Sequence, residues 1–138
     1  MRLSLSIAIV ILGSGCTAAS GRDLDPSRVV VAPSAWPTPQ MLPPSAAPRI
    51  IAVWMNETAI EPGRPWTGKI VTSTNVASVE VRTESFSFTA DRRDFGRFEF
   101  SQDVLDVVPQ YRRAYTLRLI ARNTAGAADE RVVPITIR

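Results

Sequence analysis

Histidine is absent from this 138-residue chain, which contains one cysteine and one lysine. Without histidine, the chain lacks the side chain that most often acts as a general base or binds a transition metal. A Ser-His-Asp or Cys-His nucleophile is therefore excluded. A single cysteine also excludes an intramolecular disulfide and a zinc site built from several cysteines. We predict no catalytic residues, no metal ligands, no cofactor and no enzymatic activity.

The charge of the chain is low and dispersed. Its formal net charge is +3, and its arginines are interspersed with acidic residues rather than gathered in a block. A charge of this size and distribution does not predict nucleic-acid binding. Five arginines could gather at loops of the fold and meet phosphate or an acidic polymer, but their acidic neighbours favour a salt-bridged surface. They are Arg92, Arg93, Arg97, Arg112 and Arg113.

The first 16 residues have the layout of a secretory signal. Arg2 precedes an apolar run over residues 3–12, and Gly13-Ser14-Gly15-Cys16 follows. At ~1.5 Å per helical residue, this run spans about half of the ~30 Å hydrocarbon core of a bilayer. It is therefore too short for a permanent transmembrane helix and fits the apolar part of a signal peptide.

The small residues that lead into Cys16 resemble the lipobox of bacterial lipoproteins, where the cysteine receives diacylglycerol and becomes the mature N-terminus. Gly13 departs from the pattern, because the family prefers leucine there and Leu12 lies one place upstream. The resemblance implies a signal peptide over residues 1–16 and a lipid anchor at Cys16. Thr17 stands where some inner-membrane lipoproteins carry aspartate, so the resemblance favours the outer membrane, facing the periplasm or the cell surface.

Two alternatives to lipidation remain at this point. Cleavage by the ordinary signal peptidase after Ala19, behind the small residues Thr17 and Ala18, would release a soluble periplasmic or secreted protein. Alternatively, Cys16 is an incidental cysteine behind an uncleaved apolar leader.

Residues 17–48 are predicted to form a disordered linker. This stretch is poor in large apolar residues and rich in Pro, Ser and Ala. Proline ends helices and removes sheet donors, so we expect an extended, semi-rigid segment. About 30 residues at ~3.1 Å each would place the following domain up to roughly 90 Å from the anchor. Trp36 in this linker is a candidate for docking on the domain or on a partner.

The sequence after Pro48 predicts seven short strands. Apolar and polar residues alternate in several of them, as where Val79 and Val81 alternate with Glu80 and Arg82. The segments are 49–56, 66–74, 76–83, 85–89, 95–101, 115–122 and 131–137, and the predicted turns include 61–63, 91–94 and 123–126. This pattern predicts an all-β fold, a single antiparallel seven-stranded sandwich over residues 49–138.

Residues 115–126 read Tyr-Thr-Leu-Arg-Leu-Ile-Ala-Arg-Asn-Thr-Ala-Gly. This resembles the penultimate strand of immunoglobulin-like domains, including the bacterial Ig-like, polycystic-kidney-disease-type and fibronectin-type-III groups. The resemblance implies an Ig-like sandwich over residues 49–138. A tyrosine entering this strand, Tyr111 or Tyr115, is expected to bury its ring and hydrogen-bond a corner of the backbone through its hydroxyl.

The core of this sandwich must be built without the antibody-type disulfide, because no cysteine pair is present. We expect Trp66 or Trp54 to take its place beside four phenylalanines. These are Phe86, Phe88, Phe98 and Phe100.

A fold of this kind does not by itself assign a function. The candidates for contact with a ligand or partner are Trp36, Trp54 and Trp66. We expect a membrane-anchored envelope lipoprotein whose non-catalytic Ig-like module serves adhesion or contact with another envelope protein, for example through an edge strand. The alternative is a carbohydrate-binding lipoprotein, in which exposed tryptophans stack on the sugar rings of a polysaccharide.

Overall fold

The computed structural model describes residues 22–104 and 109–138. Nine strands in these ranges form two sheets. The strands are β1 (Ile50–Met55), β2 (Ala59–Ile60), β3 (Pro65–Thr72), β4 (Val76–Arg82), β5 (Ser87–Thr89), β6 (Asp91–Asp94), β7 (Arg97–Asp103), β8 (Ala114–Asn123) and β9 (Ala128–Ile137). The four-stranded sheet has the order β1-β3-β7-β6, and the five-stranded sheet has the order β2-β9-β8-β4-β5.

The helical content of the described ranges is a single 3-10 turn at Pro109–Tyr111. No helix in residues 22–104 or 109–138 is long and apolar enough to cross a membrane. The predicted signal peptide and Cys16 lie outside the described residues.

The predicted all-β fold is confirmed, but the seven-stranded antiparallel arrangement is wrong. Each of the seven predicted segments overlaps a strand, and β2 and β6 are additional. The two-residue β2 pairs parallel to the end of β9, which makes the five-stranded sheet mixed. Strand β6 occupies Asp91–Asp94, which we predicted as a turn from its polar residues. Pairing with β7 overrides that local preference, and the turn follows at Phe95 and Gly96, where Gly96 has φ of +71°.

The inward faces of the two sheets share one core. The apolar residues that alternate along the last two strands face inward, since Tyr115, Leu117 and Leu119 of β8 and Val133 and Ile135 of β9 are all buried. Apolar side chains from both sheets belong to the same buried cluster. The core therefore lies between two sheets, as period-two patterning requires.

Trp66 is the aromatic centre of this core. Its side chain is 1% exposed, and its ring lies edge-on to Phe100, with 4.9 Å between ring centroids. Phe88 and Phe86 pack against the same ring at 6.0 Å and 6.5 Å. Gly68 is paired with Phe100 across the strands, and a Cβ there would overlap the phenylalanine ring. Of the two expected core tryptophans, Trp66 thus takes the central place.

Tyr115 closes the corner at the start of β8. Its ring is 4% exposed, and its hydroxyl donates a 2.7 Å hydrogen bond to the carbonyl of Tyr111.

We predict that Tyr115→Phe lowers the free energy of unfolding by about 1 kcal/mol, because a neutral hydrogen bond is lost while the ring remains. Urea denaturation measures the change. Tyr111→Phe is the control, since that side chain is 48% exposed, and an equal loss in both variants would contradict the prediction.

Residues 22–48, which we call the strap, lie against the two sheets. Asp23 forms a parallel bridge with Val132 of β9, and Val29 is 4% exposed in the core. The carbonyl of Val29 accepts a hydrogen bond from the N–H of Met55. Farther along, the carbonyl of Gln40 accepts one from the N–H of Thr74 at 2.9 Å. These contacts contradict the predicted disordered linker for residues 22–48.

The strap packs against the sheets despite its prolines, because backbone carbonyls, including those of proline, still accept hydrogen bonds. Proline retains its carbonyl, and that of Pro43 accepts a hydrogen bond from the side-chain amide of Asn75. Leu24 and Val30 pack against the apolar cluster as partly buried side chains. Residues 17–21 of the predicted linker lie outside the described part of the chain.

Candidate functional site

One row of side chains crosses the outer face of the four-stranded sheet. Trp54 of β1 is paired with Lys69 of β3, Lys69 with Glu99 of β7, and Glu99 with Asp91 of β6. Residues in register lie on the same face of a sheet, so these four side chains are neighbours. Trp54 is half-buried, whereas Lys69 and Asp91 are exposed.

The strap adds a second tryptophan to this row. The ring centroids of Trp36 and Trp54 are 6.4 Å apart, and the two rings are nearly perpendicular, at 84°. The Nζ atom of Lys69 lies 5.5 Å from the centroid of Trp36, within the range of a cation–π interaction. The indole N–H of Trp54 donates to the carbonyl of Val30 at 3.2 Å. Both rings are therefore held in place by the strap and β1 together.

We define the Trp36 patch as these aromatic and charged side chains with the arginines beside them. Its members are Trp36, Trp54, Lys69, Asp91, Arg93, Arg97 and Glu99. Arg97 and Lys69 border a depression of about 100 Å³ beside Trp36. Arg93 and Asp91 border another of about 300 Å³ beside Trp54. Both volumes are at or below the lower end of small-molecule sites, about 300–1,000 Å³, and suit side chains of a partner surface.

The charges of the Trp36 patch nearly balance. Glu99 lies between two cations, with its carboxylate 3.8 Å from Lys69 Nζ and 3.4 Å from Arg93 Nε. Three cations face two carboxylates, so the patch has one excess positive charge. These ion pairs are exposed and individually weak, whereas the two indole rings provide the larger apolar contact area of the patch.

The predicted salt-bridged surface is present, and the five arginines do not form one cluster. Arg93 pairs with Glu99 on the four-stranded sheet, while Arg113, just before β8, pairs with Glu84 at 3.5 Å. Arg92 packs over the ring of Phe95, with 4.3 Å between its guanidinium carbon and the ring centroid. Arg92, Arg93 and Arg113 each contact a different partner. This arrangement does not favour a shared phosphate site.

The structure separates the three candidate tryptophans. It brings Trp36 and Trp54 together, and it places Trp66 in the core, where the side chain is 1% exposed. A platform for several sugar rings needs exposed aromatic faces that lie in line, and two perpendicular, half-buried rings do not form one. The arrangement therefore favours a partner surface with protruding side chains over the flat sugar rings of a polysaccharide.

The edges of the two sheets, as far as the structure describes them, offer few free backbone groups to a strand of another protein. The outer edge of β9 is occupied by the strap at Val132 and by β2 at Thr136, and Pro134 between them has no N–H to offer. The edge strands β5 and β6 contain three and four residues, and those of β6 are all charged. At the remaining edge strand, β1, the N–H groups of Ile50 and Met55 already donate to the carboxylate of Asp129 and to the carbonyl of Val29 in the strap. Short, charged edges oppose strand addition, so the outer face is the better candidate surface.

The outer face of the five-stranded sheet differs from the Trp36 patch because its charges are closely paired. Glu80 accepts from Arg122 at 2.7 Å, and Glu130 accepts two hydrogen bonds from Arg118 at 2.6 and 3.0 Å. The hydrogen bond from Arg122 lowers the pKa of Glu80, and the one from Arg118 lowers the pKa of Glu130. Both carboxylates remain ionised at neutral pH, so a partner would have to displace formed ion pairs on this face.

The chemistry that the patch offers is that of aromatic and charged side chains. Across residues 22–104 and 109–138, no group of three acidic, cysteine or histidine side chains is placed to hold a metal ion. The patch itself combines indole rings, guanidinium and ammonium groups with two carboxylates. These groups supply apolar contact and hydrogen bonds.

Sequence reasoning identified Trp36 and Trp54 but missed Lys69, Asp91 and Glu99. These charged residues become neighbours only through the pairing of four strands, and β6 had been predicted as a turn. The one available sign was that Lys69 is the sole lysine of the chain and lies outward in an alternating strand.

In comparisons with known proteins, no protein-family model matches this chain and no curated protein matches it.

Proposed function

We propose that this protein is a lipid-anchored lipoprotein of the bacterial cell envelope. Its non-catalytic Ig-like module binds another envelope protein through the Trp36 patch. The observation that supports this most is the placement of Trp36 over Trp54 and Lys69 by the strap.

The order of strands supports an Ig-like module. Taken in chain order, the four-stranded sheet β1-β3-β7-β6 corresponds to the ABED sheet of immunoglobulin-type sandwiches. The hydroxyl of Tyr115, near the start of β8, bonds to the backbone four residues upstream, as in a tyrosine corner. One departure is that the buried tryptophan, Trp66, lies in β3 rather than in the strand equivalent to C.

The composition of the patch supports a protein partner. Tryptophan and arginine are over-represented among the residues that contribute most to protein–protein binding energy. Here both indoles are already held by contacts with the sheet and strap, so binding would cost little side-chain entropy. The small depressions beside each ring fit side chains that protrude from a partner.

The anchor is tested by metabolic labelling with a palmitate analogue. We expect the wild-type protein to take up the label and Cys16→Ala to take up none. Equal labelling of both proteins, or of neither, would refute the anchor. Mass spectrometry of the mature N-terminus distinguishes lipidation at Cys16 from cleavage after Ala19.

The binding surface is tested by photo-crosslinking in intact cells. A photo-crosslinking amino acid in place of Lys69 is expected to give a discrete protein adduct, which Trp54→Ala reduces at least fivefold. The same amino acid in place of Thr116, on the outer face of the five-stranded sheet, is the control. Equal adducts from both positions would refute the Trp36 patch, and retention on envelope polysaccharide that Trp54→Ala abolishes would favour the carbohydrate alternative.

A further inference from the structure

The strap is bonded to the sandwich from its first residue, Arg22. The carbonyl of Arg22 accepts a hydrogen bond from the N–H of Val132, and the N–H of Leu24 donates to the carbonyl of Val132, both at 2.7 Å. Five residues later, Val29 is buried in the core. The strap is therefore attached to the edge of the five-stranded sheet from Arg22 onward.

The length of chain between Arg22 and the predicted anchor is short. Six Cα–Cα steps separate Cys16 from Arg22, and each spans at most about 3.6 Å, which gives about 22 Å in total. A compact domain of about 100 residues has a radius of gyration near 13 Å, so its diameter exceeds this tether. A free linker over residues 17–48 would instead have reached roughly 90 Å.

We infer that the sandwich lies directly on the phospholipid surface, with the β9 edge and the start of the strap toward the headgroups. This inference rests on the proposed anchor at Cys16. The attachment point at Val132 faces the headgroups, and β5, three strand positions away at ~4.8 Å each, lies farther out by about 14 Å. The Trp36 patch is thereby presented to partners that are themselves close to the membrane.

The tether, rather than charge, holds the domain at the surface. The exposed charges at the start of the strap are Arg22, Asp23, Asp25 and Arg28, which sum to zero, and the charge of Arg118 beside Val132 is balanced by its partner Glu130. Headgroup attraction therefore contributes little, and the close approach should persist on neutral lipid and at high salt.

Energy transfer to a labelled lipid tests the inference on the mature lipidated protein in phosphatidylcholine vesicles. Lipidation blocks the thiol of Cys16, so a cysteine introduced as Ser27→Cys or Thr89→Cys is the only free thiol for a donor dye. We expect strong transfer from both positions and stronger transfer from Ser27→Cys, which lies in the strap near its attachment. Transfer should be the same in high salt.

A Gly/Ser spacer of about 30 residues between Ser20 and Gly21 adds roughly 30 Å of mean reach and should lower transfer at least twofold. The same spacer between Thr124 and Ala125, in the β8–β9 turn, is the control and should leave transfer unchanged. If the spacer after Ser20 has no effect while mass spectrometry finds the lipid on Cys16, the inference is overturned and the proposed function stands. If Cys16 carries no lipid, the anchor fails first and the inference fails with it.

Discussion

Trp66→Ala is expected to lower the free energy of unfolding by about 3–5 kcal/mol, as large-to-small changes of buried aromatic residues do. The indole is 1% exposed and contacts Phe100, Phe88 and Phe86 from both sheets. Its removal leaves a cavity where these rings meet, and it also leaves the carbonyl of Glu57 without the N–H of Trp66. Because the cluster joins the two sheets, we expect one cooperative loss of stability rather than local loosening.

Circular dichroism during urea denaturation measures this change without relying on tryptophan fluorescence. Trp54→Ala is the matched control, since it removes the same side chain from a half-buried position on the outer face. Partial burial predicts a loss of about 1–2 kcal/mol there. Equal losses in the two variants would contradict the central place of Trp66 in the core.

The sequence analysis left open whether Trp66 or Trp54 lies in the core. Trp54 lies in the continuous apolar run of β1, which has no alternation and so does not indicate which face each residue occupies. Trp66 alternates with polar Thr67 and Lys69 along β3, and that pattern agrees with its buried position. Period-two patterning predicted β4, β7, β8 and β9 well, because one face of each strand is apolar and the other is largely polar.

The missed strands and the strap are held by pairing rather than by local preference. β2 has two residues, too few for any alternation, and β6 consists of charged residues typical of turns. Both form strands because β9 and β7 supply hydrogen-bond partners. The strap was predicted as a linker from its prolines, but a few apolar side chains, such as Val29, outweigh that composition once a groove receives them.

The residues of the Trp36 patch also come together only through strand pairing, so the sequence did not predict the whole site. Trp36 and Trp54 were identifiable as unusual aromatic residues, 18 positions apart in sequence. Their contact requires the strap to cross the outer face of a sheet whose order could not be derived from periodicity. Lys69 and Glu99 join them through register alone.

Gly96→Ala is expected to release part of the strap as well as to destabilise the sandwich. Gly96 has φ of +71°, and a Cβ there would lie 2.5 Å from Cβ of Pro39 in the strap and 2.6 Å from the carbonyl oxygen of Thr72. The left-handed backbone costs an alanine about 1–2 kcal/mol, and overpacking adds about 1–3 kcal/mol. We therefore expect a loss of about 2–5 kcal/mol in urea denaturation.

Gly126→Ala separates the backbone cost from the contact with the strap. Gly126 has φ of +87°, and a Cβ there would meet nothing within 4 Å, so we expect only the ~1–2 kcal/mol of backbone strain. Trypsin provides a direct readout of the strap, because Arg28 and Arg49 flank its central part. Gly96→Ala should be cut at these sites several-fold faster than Gly126→Ala. Equal stability losses and equal cleavage rates would mean that Pro39 does not hold the strap against the β6–β7 turn.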